Sequence, residues 1–119
     1  MAESTEVGEL PATSLKTWLD RGESLVLLDV REDFEREHAR IAPPEGVADL
    51  HVPLGEIPTR VDQIADLARG RSLVVYCHHG QRSMVAATWL ARQGVANIHN
   101  LDGGIDAWSI RVDRSVRRY

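Results

Sequence analysis

The chain has little of what marks secreted, membrane-spanning or nucleic-acid-binding proteins. Its one cysteine, Cys77, cannot form an intramolecular disulfide, so nothing requires an oxidising compartment. No apolar stretch approaches the ~20 residues that cross a bilayer, and the acidic residues 1–9 do not form a signal peptide. The net charge of −4 argues against nucleic acid as the main partner. These absences predict a soluble, cytoplasmic protein.

Repeats and low-complexity segments are also absent, and the length suits one domain. With 119 residues, 43% of them apolar, the chain can build a single core. We expect one domain over residues 1–119, with its core at about 7–108 and a basic tail at 109–119. Such a tail either is solvated or binds an acidic partner.

Apolar runs and helical patterns alternate along the chain. Strands are predicted at residues 7–10, 25–30, 47–53, 73–76 and 97–101. Helices are predicted after a Thr13 or Ser14 cap and at residues 32–38, 57–69, 83–93 and 105–108. This alternation predicts right-handed crossovers and an α/β fold with a mainly parallel sheet. Ligand sites in such sheets lie at the carboxyl ends of the strands.

Cys77 follows one of these strands and precedes a helix. The residues between them are polar: His78, His79, Gly80, Gln81, Arg82 and Ser83. N–H groups of such a loop and of the helix N-terminus converge on the sulfur and favour the thiolate, which is the reactive form. The alternative is a buried structural cysteine. The change from apolar to polar residues at Cys77 favours the functional interpretation.

Three segments together resemble a known family, the single-domain rhodaneses, which are sulfurtransferases. They are Leu-Asp-Val-Arg-Glu at 28–32, Val-Val-Tyr-Cys-His-His-Gly-Gln-Arg-Ser at 74–83 and Leu-Asp-Gly-Gly-Ile-Asp-Ala-Trp at 101–108. The resemblance implies a rhodanese-like, three-layer fold, in which helices flank a five-stranded parallel sheet, with Cys77 as the sulfur carrier. Many relatives have a glycine directly before the position of His38, and their next loop is shorter. This chain lacks that glycine, and its loop is a few residues longer.

The resemblance implies that residues 78–83 bind the substrate. Gly80 allows the backbone angles of a tight loop, and Arg82 offers positive charge to an anionic donor such as thiosulfate, or else forms a surface salt bridge. Ser83 either caps the helix or contacts substrate. His78 and His79 either steer anions or form only the rim. A Cys-His-His metal site is disfavoured because consecutive loop residues converge poorly on one ion.

The length of the loop separates two kinds of chemistry. The sequence from Cys77 to Arg82 is Cys-x4-Arg, whereas cysteine-dependent phosphatases of this fold have Cys-x5-Arg. The shorter loop suits one sulfur atom better than a tetrahedral phosphate.

The predicted activity is therefore sulfur transfer through a Cys77 persulfide. The donor is a small sulfur-containing anion such as thiosulfate, or another persulfide, and the acceptor is cyanide, a thiol or a sulfur-carrier protein. No metal, organic cofactor, nucleic acid or membrane is expected to take part. The alternative is a binding or regulatory module that keeps the fold with little catalysis. Elsewhere, Asp29 and Arg31 are predicted to hold the carboxyl edge of the sheet together, either by an ion pair or by hydrogen bonds to loops. The three tryptophans are predicted to pack in the core or in a lid.

Overall fold

The computed structural model describes residues 6–119, so most of the acidic stretch at residues 1–9 lies outside the described range. Five short strands form one parallel sheet in the order β1-β5-β4-β2-β3. The strands are β1 (Gly8–Leu10), β2 (Leu25–Asp29), β3 (Ala48–His51), β4 (Ser72–Tyr76) and β5 (Ile98–Leu101). Each predicted strand is present, and the five-stranded parallel sheet is confirmed.

Helices cover both faces of this sheet. They are α1 (Ala12–Asp20), α2 (Asp33–His38), α3 (Val61–Ala68), α4 (Gln81–Arg92) and α5 (Gly104–Arg111), with a 3₁₀ helix at Leu54–Thr59. The helix predicted at 57–69 is therefore divided. Pro58 has no N–H to bond the carbonyl of Leu54, so a single α-helix cannot run from Leu54 through Pro58, and α3 begins only at Val61.

The predicted cap of the first helix is wrong. The helix begins at Ala12, with Pro11 at its N-cap and no side-chain capping bond. Thr13 and Ser14 therefore lie in the first turn. Proline is favoured where a helix begins because its backbone φ angle is already helical and no N–H is lost.

Side chains of the central strands alternate between two apolar layers. Val75 and Cys77 face the layer formed with α3, α4 and the 3₁₀ helix, whereas Val74 and Tyr76 face the layer formed with α1 and α5. Because helices seal both faces, the carboxyl edge of the sheet is where polar residues gather. Trp108 lies in the layer formed with α1 and α5, and Trp18 packs partly buried against the same layer. Trp89 packs partly buried against the other layer.

Two strand ends meet at this edge. Asp29 pairs in register with Tyr76, the residue before Cys77. The predicted ion pair between Asp29 and Arg31 is present at 2.8 Å (Oδ2 to Nη2), with both side chains fully buried. Among residues 6–119, no helix has both the length and the apolar character needed to cross a membrane.

Candidate active site

Cys77 lies at the base of a loop that turns its donors toward the sulfur. The Gly80 N–H donates to Sγ at 3.1 Å and the Ser83 N–H at 3.4 Å. The Ser83 hydroxyl lies 3.3 Å from the same sulfur. Cys77 is only 1% exposed. Donors directed at a sulfur in this way stabilise negative charge on it, which favours nucleophilic attack.

The sharp turn before α4 depends on Gly80. Its φ is +106°, a left-handed conformation that side-chain-bearing residues rarely adopt. This conformation starts α4 at Gln81, two residues earlier than predicted. Ser83 therefore lies inside the first turn instead of capping the helix, and its N–H is directed at the sulfur.

A buried amide from β5 holds this turn in place. The Asn100 Oδ1 atom accepts a hydrogen bond from the Ser83 hydroxyl, and its Nδ2 group donates to the Gly80 carbonyl at 3.1 Å. Nδ2 also donates to a carboxylate oxygen of Glu9 at 2.8 Å. Gly80 and Ser83, which contact Sγ, are thus held in place by Asn100 from β5, the strand that pairs with β4.

Arg82 is held by a carboxylate that the sequence did not single out. Its two terminal nitrogens lie 2.6 and 2.9 Å from the carboxylate oxygens of Glu35, which is 4% exposed. The hydrogen bond from Arg82 lowers the pKa of Glu35 to about 2. Glu35 also accepts a bond from the Glu32 N–H in a capping box that begins α2. The salt bridge that the sequence left open for Arg82 is present, and contact with an anionic donor remains a prediction.

The two histidines lie at the rim of the loop. Their rings stack with centroids 3.9 Å apart, and His79 is exposed whereas His78 is half-buried. Burial, and next His79, lower the pKa of His78. Ligand atoms of both histidines and Asp106 lie within 4.8 Å of one another, but Arg118 binds the Asp106 carboxylate at 2.8 Å. Gln81 is exposed.

The start of α5 packs directly onto the loop from below. The Ile105 N–H donates to the Cys77 carbonyl at 2.9 Å, and the Asp106 N–H donates to the His78 carbonyl at 3.1 Å. Gly104 has a φ of +61°, and a Cβ there would come within 3.0 Å of both carbonyl oxygens. This close approach holds the backbone of Cys77 and His78 against the start of α5.

Comparison with known proteins agrees with this architecture. The sequence profile of the rhodanese-like domain matches residues 11–111. The chain belongs to this family. A sulfurtransferase of Allochromatium vinosum is 35% identical over 103 residues, which cover 87% of this chain and 89% of that protein.

The chain spans only part of the length of some relatives. The tRNA uridine(34) hydroxylase of Bordetella petrii is 35% identical over 107 residues but is covered only to 41%, and the chain spans 53% of a longer relative from Bacillus subtilis. Among solved structures, a rhodanese-related protein of Thermoplasma volcanium aligns with a TM-score of 0.69 at 28% identity. That alignment covers 88% of this chain and 93% of the other.

Three residues that contribute to this site escaped the sequence analysis. Asn100 left a weak signal, since it is a polar residue inside a predicted strand. Glu35 stands in a polar helical segment and resembles any solvated residue there. Tyr119 lies 84 residues from Glu35, which it contacts, and no local pattern marks it.

Glu35→Gln is expected to destabilise this rhodanese-like domain near neutral pH. A carboxylate whose pKa falls from 4.5 when unfolded to about 2 when folded contributes about 3 kcal/mol to stability at pH values above 4.5. That contribution is lost as the pH falls from 4.5 toward 2, because over this range the carboxyl takes up a proton in the unfolded state while it stays ionised in the folded state. Urea unfolding of both proteins from pH 7 to pH 3 measures it.

The difference between the two proteins should shrink by more than half over that range. Glu56→Gln is the control, since Glu56 is exposed at the 3₁₀ helix. A difference that stays constant with pH would mean that the substitution acts through packing and not through the charge of Glu35.

Proposed function

We propose that this rhodanese-like domain is a sulfurtransferase that carries sulfane sulfur as a persulfide on Cys77. The observation that carries the proposal is the set of donors on Sγ, from Gly80 and Ser83 at the start of a helix. Such a set stabilises an anion on the sulfur both before and after it takes up a second sulfur. A relative of nearly the same length is named a sulfurtransferase, which supports the same reaction here.

The reaction has two balanced steps. The Cys77 thiolate attacks the outer sulfur of thiosulfate, a new S–S bond forms, and sulfite leaves with the electron pair of the broken S–S bond. The product is an anionic persulfide, Cys77–S–S⁻. Cyanide or a thiolate then attacks the outer sulfur, which breaks the S–S bond and returns the Cys77 thiolate. This exchange is a ping-pong reaction.

The loop has donors for the second sulfur as well as the first. The first N–H groups of a helix have no acceptor within that helix. Gln81 and Arg82 open α4, so their N–H groups can bind the outer sulfur while those of Gly80 and Ser83 remain on Sγ. The Cys-x4-Arg loop encloses one added atom in this way, which favours sulfur over phosphate.

Arg82→Ala is expected to reduce turnover of thiosulfate more than turnover of an uncharged sulfane donor. The guanidinium is about one-third exposed in its side chain, so one edge can meet the negative charge of the donor while Glu35 holds the other. We expect kcat/KM for thiosulfate to fall about tenfold or more, in line with the loss of one charged hydrogen bond. Steady-state assays with both donors measure the ratio.

Removal of Arg82 also leaves the buried Glu35 carboxylate unpaired, so the matched comparison is the double variant Glu35→Gln with Arg82→Ala. Arg92→Ala, at the other end of α4, controls for loss of net charge. Equal losses with both donors, persisting in the double variant, would show that Arg82 shapes the loop and does not bind the substrate anion.

A further inference from the structure

The segment after α5 folds back along that helix toward the active site. The Ser109 hydroxyl donates to the Val116 carbonyl at 2.6 Å, and Val116 packs partly buried against the core. Arg118 then binds the Asp106 carboxylate with two nitrogens, at 2.8 and 3.3 Å. One basic residue of this segment, Arg118, is therefore paired within the chain although it is exposed, and the segment brings Tyr119 to the rim of the loop.

Tyr119 joins three parts of the site. Its hydroxyl donates to the Glu35 carboxylate at 2.9 Å and accepts from the Arg31 guanidinium at 2.9 Å. Its ring lies on the ring of His78, with centroids 3.9 Å apart and planes 7° from parallel. The ring thus spans the space between α2 and the residue that follows Cys77.

The hydroxyl keeps its proton throughout the physiological range. Burial raises the pKa of Tyr119 to about 12. A protonated hydroxyl can donate to Glu35 while it accepts from Arg31, so both bonds persist at neutral pH. Tyr119 is nevertheless 41% exposed, whereas Cys77, the neighbour in sequence of the His78 on which the ring stacks, is only 1% exposed.

We infer that Tyr119 is a specificity-determining residue, a cover at the rim of the loop that limits the size of the molecules that reach Cys77. Small reactants pass beside the ring, whereas large thiols and proteins require it to move from His78. The part of this inference that concerns acceptors rests on the proposed sulfur transfer. The part that concerns access to the sulfur does not.

Alkylation of the single cysteine tests access without any transfer reaction. Rate constants for iodoacetamide, which is small, and fluorescein maleimide, which is large, are measured on the parent protein, Tyr119→Ala and Tyr119→Phe. We expect Tyr119→Ala to accelerate the large reagent about tenfold and the small reagent less than about twofold. Tyr119→Phe keeps the ring but loses both hydroxyl bonds, so its rate with the large reagent should lie between the other two.

Arg114→Ala is the matched control, because Arg114 is an exposed residue of the same segment. It should leave both rates unchanged. Thermal unfolding confirms that each variant is folded. Equal acceleration of both reagents in Tyr119→Ala would indicate general loosening and would overturn the inference, as would unchanged rates for both.

A second measurement extends the test to acceptors. With thiosulfate as donor, Tyr119→Ala should raise the ratio of kcat/KM for glutathione to kcat/KM for cyanide, relative to the ratio in the parent protein. If neither the parent protein nor the variants transfer sulfur but the alkylation rates separate as expected, the proposed function is wrong and the role of Tyr119 as a cover is supported. If transfer proceeds but neither measurement distinguishes large from small reactants, the cover fails and the proposed function stands.

Discussion

Sulfur transfer is expected to disappear when Cys77 is replaced by serine. The hydroxyl is nearly isosteric with the thiol, but it is barely ionised at neutral pH and cannot form a persulfide. The chain has no second cysteine that could take over the reaction. Thiocyanate formation from thiosulfate and cyanide should fall to the uncatalysed rate.

The same variant should remain folded, because the serine hydroxyl can accept the bonds that the Gly80 and Ser83 N–H groups now donate to Sγ. Circular dichroism and thermal unfolding provide this control. Thiocyanate production by the folded serine variant would overturn the mechanism.

Gly104→Ala should disable the site from the opposite side of the loop. A Cβ at Gly104 would collide with the carbonyl oxygens of Cys77 and His78, which are backbone atoms that cannot rotate away. Either the loop lifts or α5 moves, and a displacement of about 1 Å in a catalytic group costs on the order of a hundredfold in rate. We also expect a loss of roughly 3 kcal/mol or more in stability, from overpacking together with backbone strain.

Gly70→Ala is the matched control for the strain. Gly70 has a similar φ of +74°, but a Cβ there would meet nothing within 4 Å. Its substitution should cost about 1–2 kcal/mol and leave sulfur transfer unchanged. Urea unfolding and the transfer assay compare the two variants. Equal effects on activity would mean that contact between Gly104 and the loop does not position Cys77.

The sequence was enough to predict the sheet because its signals are local. Residues 25–30, interrupted only by Asp29, and residues 73–76 are short apolar runs, which are typical of parallel strands buried on both faces. Cys77 at the end of such a run, followed by Gly80, was enough to locate the loop. The single-domain organisation is consistent with these elements, and its extent at residues 1–119 remains an expectation.

The remaining features depend on contacts between distant parts of the chain. The start of α4 was misplaced because the conformation of Gly80 is set by its contacts with β5, including the bond from Asn100. The partner of Arg82 was missed because Glu35 lies 47 residues away. Tyr119 reaches the site only because the segment before it folds back, which no periodic pattern reports.

The most direct test of the account is the mass of the protein after exposure to thiosulfate. Intact mass spectrometry under non-reducing conditions, with peptide mapping, should show a gain of one sulfur atom on Cys77, and cyanide should remove it with release of thiocyanate. Cys77→Ser treated in the same way should gain nothing. If the folded parent protein gains no sulfur on Cys77, with thiosulfate or with a persulfide donor, Cys77 is not a sulfur carrier and the domain is a binding module.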